Sequence, residues 1–89
     1  MYYVYILECA DGGSYTGCTS DLKNRIEKHR KGQVLATVNR LPIKLIAYIG
    51  FQNRYSAFKF EKYLKSGSGR SFMKRHLISY EPLSSNQNI

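Results

Sequence analysis

Residues 2–17 of the chain read Y-Y-V-Y-I-L-E-C-A-D-G-G-S-Y-T-G, and this stretch contains the clearest secondary-structure signals of the sequence. Residues 2–9 are mainly aromatic and β-branched, which predicts a β-strand. The D-G-G at 11–13 is a strong turn signal, and the S-Y-T-G at 14–17 begins a second strand. The stretch therefore predicts a β-hairpin that turns near Gly12.

A helix and a third strand are predicted after the hairpin. Apolar residues recur at helical spacing over residues 21–31, with Ser20 as the expected N-cap and Gly32 as the expected stop. Residues 43–51 are again apolar and β-prone, and they follow Pro42. These segments predict a helix that connects the hairpin to a third strand.

Two further helices are predicted in the C-terminal part of the chain. The first runs from Ser56, its expected N-cap, to about Lys65. The G-S-G at 67–69 is expected to break it, and Arg70 to about Ile78 is expected to form the last helix.

Length, element order and charge limit the class of protein. Eighty-nine residues allow one domain with a modest core. The order β-β-α-β-α-α predicts an α+β fold with a three-stranded antiparallel sheet flanked by helices. We expect one domain over residues 1–80 and a polar, frayed tail over 81–89. Fourteen Lys and Arg against six Asp and Glu give a net charge of +8, which predicts an anionic partner such as nucleic acid.

Membrane and disulfide-stabilised classes are excluded by the sequence. No apolar run approaches the roughly 18 residues that a membrane span needs, and the N-terminus lacks the pattern of a signal peptide. Cys9 and Cys18 fit neither a zinc-ligand spacing nor a disulfide framework. We therefore expect reduced thiols, no membrane association and a cytoplasmic location.

Polar residues on helix faces that should be apolar are the first functional candidates. Glu61 lies in the apolar stripe of its helix, where a carboxylate needs a partner or a cation. It can also form an ordinary helix pair with Lys65, four residues on. Arg25 and His29 lie four residues apart, so they can converge on a phosphate or lie on a solvated helix edge.

Two of the eight tyrosines lie at the centre of the predicted hairpin. Tyr5 and Tyr15 come from paired strands, and Gly17 allows a backbone or a ligand to approach closely. The alternative for each tyrosine is a packing residue with a solvated hydroxyl.

Together these features resemble the GIY-YIG endonuclease domain. The Y-V-Y at 3–5, with the Y-T-G at 15–17 after it, resembles the family's paired motif. Arg25 and His29 match its next element, and Glu61 matches its metal-binding carboxylate. The resemblance covers residues 2 to about 77 and implies metal-dependent phosphodiester hydrolysis.

The resemblance extends to the small standalone bacterial members of the family. The T-x-x-R-x-P at 37–42 and the K-S-G-S-G-R at 65–70 are similar to segments of those members. Tyr3 replaces the glycine of the first triplet, and Thr16 replaces the isoleucine of the second. Met73 occupies a position where many members have an asparagine.

The resemblance also implies roles for the site residues. Glu61 would hold Mg²⁺ or Mn²⁺, and Arg25 would stabilise the phosphate. Tyr5 is the first candidate for the general base, with its pKa lowered by nearby cations, and Tyr15 for its partner in orienting water, although the sequence does not separate these two roles. His29 would contact the phosphate or relay the proton.

Nucleic acid is the implied partner, with DNA favoured and a role in DNA repair or recombination. A monomer or weak dimer is expected. Tyr3 and Gly17 would be structural residues of the motif. The basic residues expected to contact nucleic acid are Lys23, Arg40, Lys62, Lys65 and Arg70.

A non-catalytic nucleic-acid-binding module is the alternative function. It would use the same charge, with Tyr3, Tyr5 and Tyr15 as an open platform on which bases stack. A protein-interaction domain finds little support, since no large exposed apolar helix face is evident.

Overall fold

The computed structural model describes residues 1–78. In chain order these residues form β1 (Tyr2–Cys9), β2 (Ser14–Thr19), α1 (Leu22–Arg30), β3 (Ile43–Phe51), α2 (Arg54–Leu64) and α3 (Gly67–His76). A short 3₁₀ turn, Val38–Arg40, lies between α1 and β3. The predicted α+β fold and its element order are confirmed. The tail predicted over 81–89 lies outside the described residues.

Strand β1 is the centre of the antiparallel sheet, whose order is β2-β1-β3. The hairpin register places Tyr5 opposite Gly17 and Leu7 opposite Tyr15. The turn includes Gly12 at a φ of 86°, a conformation that favours glycine. Because β2 is an edge strand, groups from the two faces of the sheet can approach each other around it.

Side chains of β1 alternate between the two faces of the sheet and form two buried clusters. The cluster beneath α2 and α3 consists of Val4, Ile6, Ala57, Leu64 and Met73. The cluster beneath α1 consists of Tyr5, Leu7, Cys9, Ile26 and Ile43. The helix with Arg25 and His29 therefore covers one face, and the helix with Glu61 covers the other.

Helices α1 and α2 begin at other caps than predicted. Asp21, not Ser20, caps α1, and its carboxylate accepts the N–H of Asn24 at 3.3 Å. Asn53, not Ser56, caps α2 and accepts the N–H of Ser56 at 3.2 Å. Aspartate and asparagine cap a helix as well as serine does, so the residue type alone did not locate the first turn.

The glycines at 67–69 begin α3 and do not separate it from α2. Ser66 caps α3, and its hydroxyl accepts the N–H of Gly69 at 3.2 Å. A Cβ at Gly69 would collide with the backbone of Tyr63 and Leu64. The glycine thus lets the first turn of α3 lie directly against the end of α2.

Two sequence-based exclusions can be compared with the described residues. Within residues 1–78, no helix is both long enough and apolar enough to cross a membrane. Cys9 and Cys18 are free thiols, as predicted.

Candidate active site

Tyr5 and Gly17 lie in contact across the two strands of the hairpin. The Tyr5 ring covers Gly17 so closely that a Cβ added there would collide with the Tyr5 hydroxyl. The close approach predicted at Gly17 is therefore made by the ring of Tyr5 itself. This contact fixes the hydroxyl of Tyr5 next to the β2 backbone.

A buried chain of side-chain hydrogen bonds leads inward from Tyr5. Its hydroxyl lies 2.8 Å from Nε2 of His29, and Nδ1 of His29 lies 2.7 Å from Oγ1 of Thr37. All three residues have 0% exposed surface. A neutral imidazole has one donor and one acceptor nitrogen, and both are used here. Direct contact of His29 with a phosphate does not fit this geometry.

Burial moves the pKa values of Tyr5 and His29 in opposite directions. Burial, and then the charge of Arg25, lowers the pKa of His29, which keeps the ring neutral at neutral pH. Burial also raises the pKa of Tyr5; Arg25 opposes this rise but does not reverse it. The expectation that nearby cations lower the pKa of Tyr5 is therefore wrong for the protein alone, because desolvation of the phenolate is the larger effect.

Tyr15 lies beside the rings of Tyr5 and His29 and is more exposed to solvent than they are. Its ring centroid lies 6.3 Å from that of Tyr5 and 5.4 Å from that of His29. Unlike Tyr5, Tyr15 is only half-buried. Of the two tyrosines, Tyr15 is the one that solvent or substrate can reach without rearrangement.

Arg25 extends from α1 toward these rings and is half-buried. Its Nε is buried and has no hydrogen-bond acceptor within residues 1–78. The charge of Arg25 acts on both Tyr5 and His29. A buried guanidinium N–H without an acceptor is costly, and an anionic oxygen is the acceptor that suits it best.

Glu61 approaches the same region from the opposite face of the sheet. Its side chain is only 16% exposed, and Oε2 accepts a hydrogen bond from Nζ of Lys65 at 3.0 Å. The helix pair considered as the alternative is thus formed. The charge of Glu61 also contributes to raising the pKa of Tyr5, on the other face, and of Cys18. The carboxylate therefore acts electrostatically around the β2 edge.

The donor set at Glu61 fits a largely hydrated cation. Within residues 1–78, no three His, Cys, Asp or Glu residues are grouped to cage a metal ion. Mg²⁺ commonly keeps several waters and takes one or two carboxylates together with substrate phosphate. Glu61 satisfies that requirement, and its present partner, Lys65, is 54% exposed and free to move away.

Known proteins that are similar to this chain show its family and its fold. The GIY-YIG catalytic domain matches residues 1–76. A UPF0213 protein of Halalkalibacterium halodurans is 42% identical over 79 residues, covering 88% of this chain and 82% of the relative. One from Pediococcus pentosaceus is 39% identical over 82 residues, covering 88% and 86%. The solution NMR structure of the UPF0213 protein from Bacillus halodurans has a TM-score of 0.53 and 39% identity, covering 82% of each chain.

The chain belongs to the GIY-YIG family. Its relatives are small UPF0213 proteins, which confirms the standalone bacterial type. The GIY-YIG domain indicates a nuclease that interacts with nucleic acid, and nucleases of this family generally use divalent metals.

The residues predicted to contact nucleic acid do not form one surface. Lys65 and Arg70 line a groove of about 320 Å³ beside Tyr15, together with Lys74. The other two lysines lie elsewhere: Lys62 is on the outer side of α2, and Lys23 lines a separate groove beside α1 and Tyr3. We name the groove of about 320 Å³ that is lined by Tyr15, Lys65, Arg70 and Lys74 the basic groove.

Arg40 has a partner that the sequence reasoning missed. Its guanidinium donates to both carboxylate oxygens of Asp11, at 2.7 and 3.1 Å. The pair connects the segment before β3 to the hairpin turn, and Arg40 lowers the pKa of Asp11. The geometry assigns Arg40 to holding the turn, because its charge and its donors are already engaged.

Two departures from the GIY-YIG pattern contact each other. The buried hydroxyl of Thr16 lies 3.9 Å from Sδ of Met73, within range of a weak hydrogen bond to sulfur. Thr16 stands where the family motif has isoleucine, and Met73 where many members have asparagine. Thr16 and Met73 thus join β2 to α3 without an amide.

Three residues of interest were missed in the sequence. Thr37 belongs to the T-x-x-R-x-P motif, but its pairing with His29 depends on a loop that no periodicity describes. Tyr55 and Phe58 are exposed on α2, although aromatics in a helix are usually packed. Conversely, the open platform of Tyr3, Tyr5 and Tyr15 is not present, because Tyr5 is fully buried.

Proposed function

We propose that the protein is a metal-dependent endonuclease that hydrolyses phosphodiester bonds in DNA at the β2 edge. The observation that carries this proposal is the position of Arg25. Its buried Nε has no acceptor within residues 1–78, and its charge acts on Tyr5, whose pKa also responds to Glu61 on the opposite face. An electrostatic site with one unsatisfied donor suits an incoming phosphate.

The two tyrosines take different roles in this proposal, and they are reversed from those expected from the sequence. Tyr15, which is half-buried, contacts the attacking water. As a phenolate, its oxygen would take the proton from this water and become a phenol. Tyr5 is a positioning residue: it has no exposed surface, and its hydroxyl is hydrogen-bonded to Nε2 of neutral His29. Nδ1 of His29 is in turn hydrogen-bonded to Oγ1 of Thr37, where the described chain of side-chain bonds ends. This chain orients Tyr5 and does not carry a proton to solvent.

Arg25 stabilises the charge that develops on the non-bridging oxygens during attack. Because it is half-buried, its charge is screened less than that of a surface arginine. It is also already in place before the reaction, so little reorganisation is needed.

Glu61 would hold the divalent ion, Mg²⁺ or Mn²⁺. When bound, the ion supplies Lewis-acid stabilisation of the phosphate and leaving-group oxygens. Lys65 pairs with the carboxylate in the protein alone and would release it to the ion.

The basic groove binds the DNA backbone beside Tyr15. Lys65, Arg70 and Lys74 line it, and none of its lining residues is acidic. In this proposal the protein is a monomer or weak dimer. It is located in the cytoplasm and acts in DNA repair or recombination.

The test is a nicking assay on supercoiled and branched DNA in Mg²⁺ or Mn²⁺. Glu61→Gln keeps the shape of the side chain and removes its charge, so the rate is expected to fall about 10²-fold or more. Glu27→Gln is the matched control, because Glu27 is exposed on α1 and pairs with Arg30. Cleavage that survives Glu61→Gln or a chelator would falsify the metal role.

A non-catalytic module that binds nucleic acid remains the second candidate. It is favoured by the exposed aromatic side chains of α2 rather than by the sheet tyrosines. Binding to DNA without any turnover in either metal would establish it.

A further inference from the structure

Helix α2 exposes two aromatic rings that the core does not use. Tyr55 is 67% exposed and Phe58 is 52% exposed. Neither belongs to the two buried clusters beneath the helices. They are three residues apart and so lie side by side on one face of the helix. Single exposed aromatics are common, but an adjacent pair forms a surface.

These rings line a groove that also contains Glu61. The groove encloses about 1050 Å³ between the first half of α2 and the end of β2. Glu61 is its only acidic lining residue and Arg54 its only basic one; the neutral polar residues in its lining include Thr19, Ser20 and Asn53. The aromatic surface is thus continuous with the carboxylate proposed to hold the metal ion.

Cations accompany both rings. Nζ of Lys59 lies 5.4 Å from the ring centroid of Tyr55, and Nζ of Lys62 lies 5.5 Å from that of Phe58. Each lysine follows its aromatic partner by four residues. Repeated aromatic–cation pairs next to Arg54 are complementary to a strand that carries both bases and phosphates.

We propose that this face of α2 binds unpaired nucleotides of a DNA strand, with successive bases stacked on Tyr55 and Phe58. The inference rests on the proposed function for the choice of DNA and for the position of the scissile phosphate near Glu61. Bases within a duplex are already stacked on each other and cannot use these rings. The substrate therefore has unpaired nucleotides on the Glu61 side and backbone phosphates in the basic groove on the Tyr15 side.

Binding in a chelator tests this inference without reference to cleavage. The affinity for a labelled single-stranded oligodeoxynucleotide is measured by fluorescence anisotropy, with a blunt duplex of the same sequence in parallel. Replacing Tyr55 and Phe58 together by alanine is expected to weaken single-strand binding by about tenfold or more, and duplex binding by less than about twofold. Tyr48→Ala is the matched control, since Tyr48 is 56% exposed on β3, away from this groove.

A fluorescence measurement distinguishes stacking from a loss of folding. The chain contains no tryptophan, so Tyr55→Trp introduces a single reporter. Oligothymidylate is expected to quench its fluorescence and to bind as tightly as it binds the unmodified protein. The reporter Tyr48→Trp is expected to remain unquenched. Equal quenching of both reporters, or no quenching at Tyr55→Trp, would overturn the inference.

The two proposals fail separately. Single-strand binding that depends on Tyr55 and Phe58, without cleavage in any metal, refutes the nuclease and supports the stacking surface. Cleavage in Mg²⁺ by a protein whose alanine variants bind single strands as the wild type does supports the nuclease and refutes the stacking surface.

Discussion

At the scale of single residues, His29 determines the position of the Tyr5 hydroxyl. The imidazole uses one nitrogen for Tyr5 and the other for Thr37, and all three side chains are fully buried. A buried polar network is stable only when each member is satisfied. Removing one hydroxyl therefore leaves an unpaired nitrogen in the core beneath the candidate site.

Thr37→Val tests this network with a change that preserves shape. The loss of the hydroxyl leaves Nδ1 of His29 without a hydrogen-bond partner, so we expect about 1–3 kcal/mol lower stability and slower cleavage. Urea denaturation measures the first, and ¹⁵N chemical shifts of the His29 ring report the change in its hydrogen bonds. Thr37→Ser keeps the hydroxyl and is expected to behave like the wild type. Equal stability of the valine and serine variants would contradict the network.

The lowered pKa of His29 predicts how stability depends on pH. Below about pH 6.5, the ordinary value, the unfolded chain binds a proton that the folded chain does not bind. Stability is therefore present above that pH and is lost as the pH falls toward the folded-state pKa, by at most about 1.4 kcal/mol per pH unit. Urea denaturation at about pH 7.5 and about pH 5.5 measures this loss. His29→Gln, which cannot titrate, is expected to show a smaller loss; an equal loss would assign the effect to other groups.

At the scale of secondary-structure elements, the edge position of β2 makes the site possible. Helix α1 covers the face of Tyr5, and α2 covers the face of Val4. Arg25 lies in the helix layer on one face of the sheet and Glu61 in the layer on the other face. Because no strand pairs with the outer edge of β2, the charges of both residues can act on the region around Tyr5. The strands and the order of elements along the chain were predictable from residue patterns and turn residues, but the order of strands within the sheet was not predicted. The starts of the helices were not, because Asp21 and Asn53 compete with serine as caps.

Packing between α2 and α3 predicts a contrast between two glycines in one helical turn. A Cβ at Gly69 would meet the backbone of Tyr63 and Leu64, whereas a Cβ at Gly67 meets nothing within 4 Å. We expect Gly69→Ala to lower stability by about 1–3 kcal/mol, because backbone cannot yield as a side chain can. Gly67→Ala is expected to be neutral or stabilising. Thermal unfolding measures the stability of both variants. Equal unfolding midpoints for Gly69→Ala and Gly67→Ala would contradict the close packing of Gly69 against α2.

At the scale of the whole molecule, the net charge of +8 is distributed among different tasks. Lys65, Arg70 and Lys74 line the basic groove, while Lys59 and Lys62 accompany the aromatic rings of α2. Composition predicted a nucleic-acid partner but not this division. Arg40 illustrates the reason: its pairing with Asp11, 29 residues away in sequence, depends on the tertiary fold.

This division predicts different salt dependences of DNA binding. Arg70→Ala removes a cation that faces the backbone, so the slope of log K against log salt is expected to become shallower by about 0.9. Arg40→Ala is expected to leave the slope unchanged, because its charge is already paired with Asp11. The slopes are measured by fluorescence anisotropy on duplex DNA in a chelator. An equal change in both variants would contradict the assignment of Arg40 to the turn.

The family could be predicted from motif spacing, and so could the proximity of Tyr5, Tyr15 and His29, but the different burial of the two tyrosines could not. Tyr5 and Tyr15 occupy corresponding places in the paired motif, and only the fold reveals that one is buried and the other half-exposed. In the same way, the spacing of Arg25 and His29 correctly indicated one helix face. It could not show that the imidazole is turned inward to Thr37.

Single-turnover cleavage of DNA by Tyr15→Phe tests whether the hydroxyl of Tyr15 acts on the attacking water. The substitution keeps the ring beside Tyr5 and His29 and removes only the hydroxyl proposed to contact water. We expect a cleavage rate at least about 10²-fold lower than that of the wild type, with unchanged DNA affinity and unchanged thermal stability. Tyr48→Phe, on the opposite edge strand, controls for loss of an exposed phenol. A cleavage rate for Tyr15→Phe within about twofold of the wild type would show that the Tyr15 hydroxyl has no such role.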